Sequence, residues 1–185
     1  MKKLIIALII ILAATPVFAS KFFDFTNSVD TAGWAAVWNT SYCGTIGLSI
    51  VAGHLQVTVT KDSASSDGVN VRYANPPITS SDSVWSIYGK SITPIQPPWC
   101  YTKAWSRDNG WSWHDAGVAA NMSASWQQFA NIRNPMGVTP YQDIGFQVFL
   151  GTEVGTFTFQ FDNAKFGDSL TIPVELIDFE ATPTK

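Results

Sequence analysis

The stretch GTFTFQFDNAKFG, residues 155–167, places Phe157, Phe159 and Phe161 on alternate positions with Thr158, Gln160 and Asp162 between or beside them. Successive side chains of an extended strand point to opposite faces, so this segment presents one apolar side and one polar side. The same period of two recurs elsewhere. Leu55, Val57 and Val59 alternate with Gln56, Thr58 and Thr60; Val69, Val71 and Tyr73 alternate with Asn70 and Arg72; Phe146, Val148 and Leu150 form a further set. Beyond the first residues no helical period is sustained, and turn formers such as Ala52-Gly53, Asp67-Gly68, Asn75-Pro76, Asn109-Gly110 and Asn134-Pro135 separate the runs. Many short strands at this spacing predict an all-β chain, a two-sheet antiparallel β-sandwich of jelly-roll type. Pro94 to Pro98, PIQPP, belongs to a loop or an edge, because proline cannot donate to a central ladder.

Residues 1–19 stand apart from this pattern. Lys2 and Lys3 precede an apolar run from Leu4 to Ala14, and Val17-Phe18-Ala19 supplies a cleavage point, which reads as a signal peptide. The run is short of the roughly 20 residues that a membrane anchor needs. Cleavage of 19 of the 185 residues leaves 166, suited to a single domain at 20–168 with a sizeable core. Losing Lys2 and Lys3 takes the net charge from −3 to −5, which disfavours nucleic acid as a partner. The expected locations are the extracellular space or the cell surface, and the expected state is a monomer. Cys43 and Cys100 then meet an oxidising compartment, where one disulfide is the default pairing. Two cysteines without C-x-x-C spacing and two scattered histidines do not make a zinc site.

Residues 99–117, WCYTKAWSRDNGWSWHDAG, hold four tryptophans and a tyrosine among charged side chains. A core segment would carry fewer charges, and an ordinary loop less aromatic surface, so the stretch reads as a recognition surface. If 101–105 is a strand, Tyr101, Lys103 and Trp105 share a face, and the lysine turns that face away from the core, leaving Trp105 as an outward platform. Trp111 and Trp113 also share a side, outward or inward. Asn70 and Arg72 point away from their apolar neighbours, and Gln128 shares a side with Trp126; all three are candidate polar contacts. Trp34, Trp85 and Trp126 are placed in the core, and Trp38 on neither side. A pyranose has an apolar C–H face and a rim of hydroxyls, which suits an indole platform flanked by such groups.

FFDFTNSVDTAGW near the start, SWQQFANI in the middle and QFDNAKFGD near the end occur in an order that resembles carbohydrate-binding modules of the galactose-binding-like jelly-roll type. The resemblance spans Phe22 to Asp168, and TKAWSRDNGWSWHDAG is similar to the strand pair that carries aromatic sugar contacts in polysaccharide-binding members. It implies a structural calcium where the first and last strands meet, with Asp24, Thr26 and Asp162 as ligands, although Thr26 replaces the usual acid. The tail IPVELIDFEA resembles the junction before sorting regions of secreted Bacteroidetes proteins, so 169–185 reads as a linker or the start of a further region, or else as a closing edge strand.

Catalysis finds little support. Glycoside hydrolysis ordinarily uses two carboxylates about 5 to 10 Å apart; here no E-x-D-x-E run occurs, and the glutamates are Glu153, Glu175 and Glu180. Asp108 and Asp115 bracket the tryptophans but suit turns. His54 and His114 lack a G-x-S-x-G elbow. The expected function is therefore a non-catalytic module binding a β-linked polysaccharide (mannan, xylan or β-glucan) through Trp105, Trp111, Trp113 and Tyr101, with Lys103, Arg72, Asn70 and Gln128 as polar partners. The alternative is an adhesion or structural domain that uses the same surface on protein or matrix.

Overall fold

In the computed structural model, which describes residues 21–26, 31, 33–37, 44–64, 68–77, 84–114, 119–132 and 141–167, the alternating segments are strands. They are β1 (Lys21–Phe23), β2 (Trp34–Val37), β3 (Thr45–Val51), β4 (His54–Lys61), β5 (Gly68–Ala74), β6 (Val84–Thr93), β7 (Tyr101–Asp108), β8 (Trp113–His114), β9 (Gln127–Ile132), β10 (Tyr141–Phe149) and β11 (Gly155–Gly167). One sheet of six strands runs β3-β4-β11-β6-β9, with β1 also paired to β11; the other, of five, runs β2-β5-β10-β7-β8. Every pairing is antiparallel. This is the expected all-β sandwich.

The period-two pattern decides which side of each strand is inside. Phe157, Phe159 and Phe161 of β11 face Val69, Val71, Phe146 and Val148 of the other sheet across one apolar core. Phe146 and Phe161 stack at a centroid separation of 3.8 Å. Burying each such side chain stabilises the fold by about 1.5–3 kcal/mol, the main term holding the layers together. Trp34 and Trp85 are core residues, as the sequence suggests. The Trp85 indole on β6 also donates to the Trp105 carbonyl on β7 at 2.8 Å, a polar tie between the two sheets that satisfies an otherwise buried N–H.

The leader, Trp38, Cys43, Asp115 and the tail 169–185 lie outside the described residues. Among the described residues no helix is long and apolar enough to cross a membrane. Cys100 is a buried free thiol, so the expected bridge to Cys43 is not formed at this end. Burial, reinforced by the Glu153 carboxylate, pushes that thiol up to about 11, which keeps it protonated and unreactive at neutral pH.

Candidate functional site

The outward side of the five-stranded sheet is built from the residues that alternate with the core. In the register between β10 and β7, Tyr101 lies opposite Phe149, Lys103 opposite Gln147 and Trp105 opposite Gly145, with Arg107 opposite Asp143. On the other flank of β10, Gln147 is opposite Asn70, Gly145 opposite Arg72 and Asp143 opposite Ala74. Tyr101 and Phe149 stack at 4.7 Å. Beyond them, Trp99 is half exposed and packs against Gly151, where an added Cβ would strike its ring. The sequence reading did not single out Trp99 as a contact; its signal is the glycine beneath it.

Trp105 does point outward, but it is fully buried, which corrects the expectation of an open platform. The cause is local. Gly145 leaves room for the Trp105 ring to lie against the β10 backbone, and a Cβ there would collide with both the ring and the Val71 carbonyl. Trp113 from the short strand β8 then covers the outer side, stacked at 4.3 Å and inclined by 23°. The ring that reaches solvent is Trp113, at 40% exposure, with Trp105 as its pedestal. Trp111 and Trp113 are thus both outward.

Next to this pair, Asp143 is buried between two arginines. It accepts from Arg107 Nε at 3.0 Å and again from Arg107 Nη2, with Arg72 Nη1 at 3.5 Å. The Arg107 guanidinium lies 4.0 Å from the centroid of the Trp111 ring, a cation–π contact that supports an exposed indole from below. Trp111 adopts φ of 65°, a left-handed conformation that bulky residues avoid and that persists only when its surroundings hold it. Asp108 provides the hold, as its turn-forming type suggests. Its carbonyl accepts from Trp111 N at 2.8 Å, its Oδ1 accepts from Ser112 N at 2.9 Å, and its Oδ2 pairs with His114 Nε2 at 3.1 Å. The hydrogen bond to His114, with that from Ser112, holds the Asp108 carboxyl below the ordinary aspartate range.

The face therefore brings together Tyr101, Lys103, Trp105, Trp111, Trp113, Arg72 and Asn70. Lys103, Arg72 and Tyr101 are half-buried, but Asn70, expected as an outward polar contact, is buried, and among the described residues its Oδ1 accepts no hydrogen bond. Gln128 is not part of the face. It sits on β9 in the other sheet and donates to Ser86 Oγ at 3.2 Å, because β9 pairs with β6. Trp126, expected in the core, is 37% exposed; it precedes β9 and falls outside the layers.

Asp24, Thr26 and Asp162, the residues that the resemblance implies for calcium, bond to the protein's own groups. Asp24 Oδ1 accepts from both Thr26 N, at 2.8 Å, and Thr26 Oγ1, which keeps the Asp24 carboxyl below its usual range. Asp162 Oδ1 accepts from Asn163 N at 2.7 Å and its Oδ2 pairs with His54 Nδ1 at 3.0 Å. Among the described residues there is no group of three or more His, Cys, Asp or Glu side chains that could hold a metal.

No family model matches this chain, and no curated protein matches it. Solved structures do. A carbohydrate-binding module studied for promiscuous specificity within the β-sandwich superfamily superposes with a TM-score of 0.59 at 13% identity, over 80% of this chain and 61% of that one. The chain thus spans less than two thirds of that protein. The xylan-binding module CBM15 gives 0.54 at 16% identity over 82% and 98% of the two chains. A module for specific mannan recognition, TmCBM27, gives 0.52 at 16% over 80% and 96%. At such identities the likeness is one of fold: this chain has the β-sandwich of carbohydrate-binding modules.

Proposed function

We propose that the chain is a secreted, non-catalytic carbohydrate-binding module that lays a β-linked polysaccharide of the mannan, xylan or β-glucan class along the outer side of β2-β5-β10-β7-β8. The observation that carries this is the Trp113 indole, held open to water on the buried Trp105 ring. A platform fixed before the ligand arrives loses little entropy on binding, and its apolar surface suits the C–H face of a sugar. Arg72, Lys103 and Gln147 lie on the same side, where they can meet hydroxyls. From Tyr101 to Arg107 along β7, at about 3.3 Å per residue, the face runs about 20 Å, longer than one sugar ring and suited to a chain. The fold shared with xylan- and mannan-binding modules supports the same reading. Asp143 pairs with two arginines and Asp108 holds the turn that presents Trp111, roles that suit a binding face.

Native electrophoresis in gels containing mannan, xylan or β-glucan tests the proposal. At least one glycan retards the protein, and Trp113→Ala restores the mobility seen without glycan. Unchanged mobility in all three, or full retardation of Trp113→Ala, would sink it.

A further inference from the structure

On the opposite side of the sandwich, over the six-stranded sheet, is a pocket of about 270 Å³ lined by Tyr88, Trp126, Asp162, Asn163 and Lys165. Three features distinguish it from a chance depression. First, its wall is an exposed indole: Lys90 Nζ lies over the Trp126 ring 4.6 Å from the centroid, and the His54 ring stands 5.0 Å away, tilted by 60°. Second, the backbone is reshaped there. The register of β11 against β6 shifts between Asp162 and Lys165, and Asn163 takes φ of 51°. Such bulges re-aim side chains, and here Asn163 and Lys165 both reach the pocket. Third, the charge runs against that of the chain. The protein carries a net −3, yet Lys165 lines this pocket and Lys90 stands over its Trp126 wall, while the Asp162 carboxylate that also lines it is paired with His54.

A neutral sugar uses the indole and hydroxyl partners, and a lysine serves it only as a hydrogen-bond donor, as Lys103 can on the main face; two ammonium groups about one pocket gain more from an anion. A sugar bearing a carboxylate uses all of them. We infer that this pocket binds a uronic acid residue, its ring against Trp126, its carboxylate on Lys90 and Lys165, and its hydroxyls on Asp162 and Asn163. Lys90 has a long flexible stem and can swing from the ring to the carboxylate while keeping its apolar part on the protein. The choice of a sugar rests on the carbohydrate-binding reading of this chain, but the site is a separate one on the other sheet. The module would then read a backbone on one side and an acidic substituent, or a second acidic chain, on the other.

The test follows the tryptophan indole N–H signals by NMR during titration with trimers of galacturonate, mannuronate and glucuronate, and with the same trimers after reduction of each carboxyl to a hydroxymethyl. Trp126, assigned from a Trp126→Phe variant, is expected to shift with at least one uronate while Trp113 stays still. Reduction of the ligand, or Lys90→Gln, weakens that binding about tenfold, the scale of one charge-assisted contact. Trp126→Ala and Lys90→Gln alter surface positions, so both should fold. A Trp126 signal that ignores all three uronates, equal affinity for the reduced trimers, or uronate binding that survives Trp126→Ala overturns the inference. Each of these outcomes leaves the Trp113 response to neutral glycans, the readout of the main face, untouched.

Discussion

The two outer faces of the sandwich obey the same alternation yet put different chemistry on it. On the six-stranded sheet the outward rows of β4 and β11 are polar pairs that touch across the strands: Gln56 with Gln160 at 3.3 Å, Thr58 with Thr158 at 3.5 Å, Thr60 with Thr156 at 3.1 Å. Such rows are satisfied by each other and by water. On the five-stranded sheet the corresponding rows hold Tyr101 with Phe149, Trp105 with Gly145 and Arg107 with Asp143. There, large side chains are opposed by a ring to stack on, a glycine to lie against or a counter-charge. Pointing outward and being solvated are therefore different properties. The second layer formed by Trp113 and Trp111 turns the outward row into a small core of its own.

That contrast can be broken by substitution. The largest effect is expected for Trp105→Ala, which should cost about 3–5 kcal/mol in a denaturant titration, the scale of an aromatic removed from a core. Thr158→Ala, in the equivalent outward row of the other sheet, should stay within about 0.5 kcal/mol. Similar values for the two would mean that the outer layer adds no packing. Next comes Asp143→Ala, which strands the buried Arg107 guanidinium and should destabilise by about 3 kcal/mol. Trp113→Ala should lower stability by only about 1 kcal/mol, the worth of a stacked aromatic pair, but weaken glycan affinity by about 2 kcal/mol or more, roughly thirtyfold. A variant that loses stability and affinity in equal measure would make Trp113 a packing residue and not a platform.

Much of this was legible in the chain. Alternation identified β4, β5, β10 and β11 and their inward sides, because burial of one face is what the period encodes. It also put Tyr101, Lys103 and Trp105 on one face, and Asn70 with Arg72. It could not report depth, since depth depends on which loop folds back over the strand. Trp105 was read as open because nothing local says that Trp113 will cover it. Gly145, in the middle of the strand run DIGFQV, was the available clue: an interior glycine marks a close approach. Gln128 was misplaced because alternation gives a side but not a sheet, and β9 joins the edge of the six-stranded one. Trp126 differs from the core tryptophans for a related reason: the residues after it are strand, but it stands just before the strand begins.

The smallest effect concerns acid, and it separates the two faces again. Asp108 holds the turn that presents Trp111, and its pKa is depressed, chiefly by the hydrogen bond to His114. A carboxylate with a folded pKa below its unfolded value stabilises the native turn fully above the unfolded value, about 3.9, and that contribution is lost as pH falls through the lower folded one. Glycan retardation should therefore be unaffected by Asp108 between about pH 7 and 5 and should fall only below about pH 4. Asp108→Asn should bind a few-fold more weakly at neutral pH, because the charge that orients His114 and Ser112 is gone, and should show little further loss on acidification. Asp24 is likewise depressed, through Thr26, but no aromatic ring of the binding face depends on it, so Asp24→Asn should leave the pH profile of retardation unchanged. If Asp24→Asn flattened that profile and Asp108→Asn did not, the acid response would belong to the scaffold and not to the loop that carries Trp111.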